Sequence, residues 1–208
     1  MDQIQELLDS IDSLEAEFLE SSQRFIKAGN SKLYTMDLFA WGVNNRALQL
    51  CKGFNSLIKD QNYISAIPLI RLQLDNVLRF FASTLVSDYN DFFIHYLDGK
   101  QIRDYKDSKG KPLTDNYLAK NLDKYFKGTL QLYKDTSGFI HLSDRHFFAS
   151  VRRTGNQERT VQMALGNSVD NFSVEQKLDF VNTMFEVSKL VIVIVEQWRH
   201  EKDRMNKE

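Results

Sequence analysis

Two prolines and nine glycines are all that interrupt 208 residues, and this scarcity of chain breakers constrains the fold more than any other feature. A β-sandwich or barrel needs many turns, and turns draw on glycine and proline chemistry. The sequence therefore predicts long helices with few connections: an all-α helical bundle. At 42% hydrophobic and 26% charged residues, the chain has the makings of an ordinary core, and its length suits a single helical domain over 1–208.

Apolar periodicity places the helices. Ile4, Leu7, Ile11, Leu14, Phe18 and Phe25 recur at steps of three and four, so residues 2 to about 28 form an amphipathic helix, read as a bundle helix or an N-terminal extension. The second helix covers Ser31 to about Asp60, with Leu38, Trp41, Leu48, Phe54, Leu57 and Ile58 on its apolar side; its start can slip past Thr35, with Asp37 in the first turn. A third runs from Ile64 to Val86 with Pro68 near its first turn, and a short aromatic helix follows over Tyr89–Leu97. The glycine- and lysine-rich segment 98–114 reads as a basic loop. Helix resumes at Asp115 and continues, with a break near Asn121, to about His141. Residues 147–165, FFASVRRTGNQERTVQMAL, carry β-branched residues on both sides of TGNQ and predict an inserted β-hairpin. Ser173, with Gln176 three residues on, caps a last helix that runs to about Arg204 and is apolar on most sides.

Composition excludes several classes of function. A formal net charge of −1 makes the chain as a whole no polycation, so any nucleic-acid contact must come from local patches. Two such patches stand out: Lys100, Arg103, Lys106, Lys109 and Lys111 in the basic loop, and Arg152, Arg153 and Arg159 in the hairpin. Tyr105 and Tyr117 lie near the first patch and are candidates for stacking on bases. The lone Cys51 allows no intrachain disulfide and fits a reducing compartment. The start, MDQIQELLDS, lacks the basic and apolar order of a signal peptide, and LVIVIV at 190–195 is too short to span a bilayer. The expectation is a cytoplasmic protein without membrane contact. His95, His141, His146, His200 and Cys51 show no zinc-ligand spacing, and neither a dinucleotide fingerprint nor a phosphate loop is present, so no metal and no cofactor is expected.

The stretch LYKDTSGFIHLSDRH, residues 132–146, concentrates the titratable chemistry. On a helix, Tyr133, Ser137 and His141 share one face, with Arg145 and His146 just beyond. Arg71, in SAIPLIRLQLDNVLRFF, lies among Leu69, Ile70, Leu72 and Leu74 and needs a partner, because an unpaired buried charge is very costly. Asp75, one turn on, is the local candidate. Arg-before-Asp is the weaker order for a helix pair, so Arg71 is expected to reach across to the Tyr133–Ser137–His141 stripe as well.

PLIRLQLD in one helix and YKDTSGFIH in a later one resemble a group of bacterial HEPN-like (higher eukaryote and prokaryote nucleotide-binding) proteins, over residues 35 to 200. The resemblance carries Arg71 and Asp75 from the first motif, and Tyr133, Ser137 and His141 from the second. It implies a helical bundle, a homodimer, and a metal-independent RNase or RNA-binding effector of a bacterial defence or toxin system, with RNA and an antitoxin or other protein as partners. Here Arg71 clamps phosphate or orients the imidazole, His141 is the acid or base, Tyr133 and Ser137 hold the ring, and Asp75 holds Arg71. Arg145 is an alternative cation and His146 a second imidazole. The superfamily's usual signature, an arginine followed by a histidine after four to six intervening residues, is absent. The second reading is a non-catalytic interaction or dimerisation module, in which the same five residues form a buried polar network that sets helix register.

Overall fold

The computed structural model describes residues 2–140, 151–153, 161–163 and 172–206, and most of them are helical. Helix α1 (Asp2–Lys27) buries Ile11, Leu14, Phe18 and Phe25 of the expected stripe; at its start Leu8 is buried while Ile4 and Leu7 are half-buried. Gly29, Asn30 and Ser31 then all adopt positive φ in a 3-10 turn. That turn is why α2 (Thr35–Lys59) starts at Thr35 rather than Ser31. Asp37 anchors the start, its Oδ2 accepting the Tyr34 backbone N–H at 2.8 Å.

Helix α3 (Tyr63–Ser83) is capped by Asn62, whose side chain accepts the Ser65 N–H. Pro68 lies in the second turn rather than the first. The last helix, α7 (Val174–Met205), starts on the reciprocal cap the sequence specified: Gln176 N–H donates to Ser173 Oγ at 3.1 Å, and Ser173 N–H donates to Gln176 Oε1 at 2.9 Å. Val181, Met184, Val187, Val191, Ile194, Val195 and Trp198 of α7 are buried.

These four long helices pack against one another, with α7 in contact with α1, α2 and α3. α1 therefore contributes core side chains. A second tier is formed by α4 (Tyr89–Leu97) against α2, and by α5 (Asp115–Leu122) and α6 (Thr129–Ser137) against α3. The break expected near Asn121 falls after Leu122, so the stretch from Asp115 is two helices. Gly128, at φ 94°, takes a conformation that favours glycine and opens α6, and Asp123 Oδ1 accepts the N–H groups of Gly128 and Leu130. Residues 98–114 fold over Ile102–Asp104 as a 3-10 turn and close on a Lys106–Pro112 bridge. Within 147–165, the strands β1 (Val151–Arg153) and β2 (Val161–Met163) pair antiparallel, Arg152 opposite Gln162; the segment between them lies outside the described residues.

Leu38 and Trp41 do not join the core. They are 56% and 54% exposed, and Leu38 borders an open cleft. Among the described residues, no helix is long and apolar enough to cross a membrane.

Candidate functional site

Three residues of α3, Arg71, Asp75 and Arg79, fall at i, i+4 and i+8 and so share one face. Helix α5 brings Asp115 to this face from its first turn, where Thr114 caps the helix by accepting the Tyr117 N–H. Asp115 bridges the two arginines: its Oδ2 accepts from Arg71 NH2 at 3.1 Å and its Oδ1 from Arg79 NH2 at 2.6 Å. Asp75 takes Arg79 Nε at 3.1 Å and lies 3.6 Å from NH1 of Arg46, on α2. Its distance to Arg71 is 3.9 Å, so Asp115, forty-four residues away in the chain, is the closer partner. From α6, the Tyr133 ring lies against the Arg71 guanidinium at 4.7 Å to the centroid, a cation–π contact. Arg71 does reach the stripe of the later helix, through the ring of Tyr133.

Arg71 is almost fully buried, and it stands behind the cleft rather than in its wall. The cleft has a volume of about 910 Å³. It is lined by Leu38, Gly42 and Arg46 of α2, by Tyr96 and Leu97 of α4 with Lys100 and Arg103, and by Asp75, Arg79, Asp115 and Tyr133. Three guanidiniums (Arg46, Arg71, Arg79) meet two carboxylates (Asp75, Asp115), which leaves one positive charge in the network itself. Arg79 NH1 is buried without a hydrogen-bond partner among the described residues, while Nε and NH2 of the same guanidinium are ion-paired to Asp75 and Asp115.

The other predicted residues are distributed as follows. Ser137 Oγ donates to the Tyr133 carbonyl at 2.5 Å, so this hydroxyl is turned onto its own helix. His141, Arg145, His146 and Arg159 lie outside the described residues, and Arg152 and Arg153 are placed only as members of β1. Lys109 and Lys111 are exposed but do not line the cleft. Their backbone N–H groups donate to Asp107 Oδ1 at 2.9 and 2.7 Å, which folds that part of the loop onto itself. Lys100 and Arg103, at the other end of the loop, do line it.

Neither tyrosine considered for base stacking borders the cleft. Tyr105 OH donates to Asp91 Oδ2 at 2.6 Å, and burial together with that carboxylate pushes the phenol up to about 12. Tyr117 OH donates to Asp107. That bond, aided by the backbone N–H groups of Lys111 and Lys109, holds the Asp107 carboxyl below its ordinary range against the opposing effect of burial.

Sequence reading missed Arg46, Arg79 and Asp115. Arg79 was within reach of helical periodicity, being one turn beyond Asp75. Arg46 and Asp115 sit on other helices and carry no local signal. Among the described residues, no group of three or more His, Cys, Asp or Glu side chains could hold a metal ion. No protein-family model matches the chain, and neither a curated protein nor a solved structure matches it.

Proposed function

We propose that the chain is a HEPN-like RNA-binding protein of a bacterial defence or toxin system, and that the phosphate backbone of single-stranded RNA docks in the α2–α4–α5 cleft. The observation that carries this reading is the composition of the cleft: Arg46, Arg79, Lys100 and Arg103 against Asp75 and Asp115. Lys100 is paired with Asp98 at 2.9 Å and Arg103 with Asp104 at 4.0 Å, but both pairs are exposed and weak, so the four lining cations can still engage a polyanion although the whole chain is close to neutral. The exposed Leu38, Tyr96 and Leu97 add a surface on which a base can rest.

In this reading Arg71, Asp75 and Tyr133 are the frame of the site. Arg71 is held by Asp115, Asp75 and the Tyr133 ring, so its function is to lock α5 and α6 onto α3. Cleavage, where it occurs, needs a group that removes the 2′-hydroxyl proton and one that protonates the leaving oxygen. The family resemblance gives that role to His141, four residues beyond Ser137. A guanidinium of the cleft would face the charge that develops on phosphorus.

Binding and cleavage are tested together by adding a labelled single-stranded RNA to the purified chain. The expected result is saturable binding that weakens steeply with salt, with His141→Ala keeping binding and losing any cleavage. Absence of binding at low ionic strength would sink the proposal and leave the interaction-module reading, in which the Arg71 network is purely architectural.

A further inference from the structure

The α2 wall of the cleft has two properties that its own packing does not require. Gly42 lies in the middle of a 25-residue helix, where glycine is unfavourable relative to alanine. A Cβ added there would meet nothing within 4 Å, so no neighbour demands the glycine. It lies one turn after Leu38 and one turn before Arg46, and all three line the cleft. The missing side chain leaves open space beside the guanidinium.

Arg46 is itself held from behind by a buried polar chain. Its NH1 donates to Asn76 Oδ1, and also to the Leu72 carbonyl at 3.4 Å. Asn76 Nδ2 donates to Gln73 Oε1 at 3.0 Å, and Gln73 Nε2 donates to Ser188 Oγ at 2.8 Å and to the Ala47 carbonyl at 3.3 Å. Ser188 Oγ in turn donates to the Met184 carbonyl at 2.7 Å. Asn76, Gln73 and Ser188 are each at least 97% buried. A run of buried amides from α7 through α3 to the cleft satisfies its members one after another, and each acceptor fixes the amide behind it. Only NH1 of Arg46 is used. Its Nε and NH2 donors have no partner among the described residues, and its side chain is 44% exposed.

We propose that Arg46 is the anion-docking group of the cleft, pre-oriented by the Asn76–Gln73–Ser188 chain, and that the open space over Gly42 admits the sugar or base attached to the phosphate it binds. This rests on the RNA-binding reading above and gives it an address. Asn76 and Gln73 are positioning residues: they touch Arg46, or the group that holds it, and not the ligand. A guanidinium already immobilised through one nitrogen loses less freedom on binding phosphate than a free surface arginine.

The test uses the full chain, a fluorescently labelled oligouridine as probe, and anisotropy as readout, with circular dichroism to check the fold of each variant. Arg46→Gln and Gly42→Phe are each expected to weaken binding about tenfold, the loss that goes with one charge-assisted hydrogen bond. Gly42→Phe enters open space, so its melting temperature should stay near that of the wild type. Lys59→Gln, on α2 but outside the cleft, should change affinity by less than about twofold.

Positioning has its own readout. The Arg46 Nε–H resonance, assigned by its loss in Arg46→Gln, should be sharp in the wild type and broaden in Asn76→Ala. If the wild type binds and Arg46→Gln and Gly42→Phe bind equally well, this proposal falls while the RNA reading survives on another surface. If the wild type binds no oligouridine, both fall. An Arg46 resonance indifferent to Asn76→Ala overturns the positioning role by itself.

Discussion

Lys202 Nζ lies 2.8 Å from Asp37 Oδ2, and neither side chain is reached by solvent. The lysine also donates to the Phe25 carbonyl at 2.8 Å, and Asp37 accepts Trp198 Nε1–H at 2.8 Å. One buried ion pair thus joins the end of α1, the start of α2 and the last turns of α7. Such a pair tolerates burial because hydrogen bonds satisfy its remaining lone pairs and protons. Lys202→Met strands the Asp37 carboxylate and should cost about 3–5 kcal/mol, read as a lower urea midpoint. A loss below about 1 kcal/mol would mean that the pair behaves like a surface salt bridge.

Replacing Arg71 tests the frame of the cleft. Arg71→Met removes the Asp115 and Asp75 contacts and the cation–π contact with Tyr133. The expected loss is about 2 kcal/mol, with faster amide exchange in α5 and α6 while α1 and α7 keep their protection. Uniform loss of protection across all helices would argue against a local role.

Gly42→Ala should stabilise the chain. Its Cβ meets no atom within 4 Å, and alanine is favoured over glycine in a helix by about 1 kcal/mol. A rise of about 2–4 °C in melting temperature is expected for a chain of this size.

Acid should loosen the loop over 98–114. Asp107 has its carboxyl held below the ordinary value of 3.8 by Tyr117 and by backbone N–H groups. The unfolded chain therefore takes up the proton first, and the stability contributed by Asp107 is present above about pH 4. It is lost as pH falls through the lower, folded value. Asp107→Asn should flatten this part of the acid titration, followed by the fluorescence or NMR signal of Tyr117.

Cys51 should be unreactive in the folded protein. Burial pushes its thiol up to about 11, against the smaller opposing effect of Ser188, and the thiolate is the nucleophile. A thiol-specific disulfide reagent near pH 8 should modify it only at the rate of unfolding. Rapid stoichiometric reaction without denaturant would contradict the burial seen here.

Local chemistry announced much of the architecture. The Ser173–Gln176 cap, the apolar stripe of α1, the aromatic helix over Tyr89–Leu97 and the late start of α2 all follow from interactions within a few residues of each other. Those interactions are written into a short window of sequence. The site was legible only where it shares that property: Arg71 and Asp75 stand one turn apart, and Tyr133 shows itself through its place on a helical face. Leu38 and Trp41 looked like core residues, since a window of sequence cannot tell an apolar residue that meets another helix from one left at the surface.

The sequence by itself determined that this chain is helical, roughly where each long helix begins and ends, and that Arg71 had to find a partner. Tertiary structure alone decided that the partner is chiefly Asp115, that Arg46 stands at the rim of the cleft with Asn76 behind it, and that Lys202 is buried on Asp37. Helix formation depends on neighbours three and four residues away. The pairing of charges across helices depends on which faces the packed bundle brings together, and that follows from the shape of the whole core.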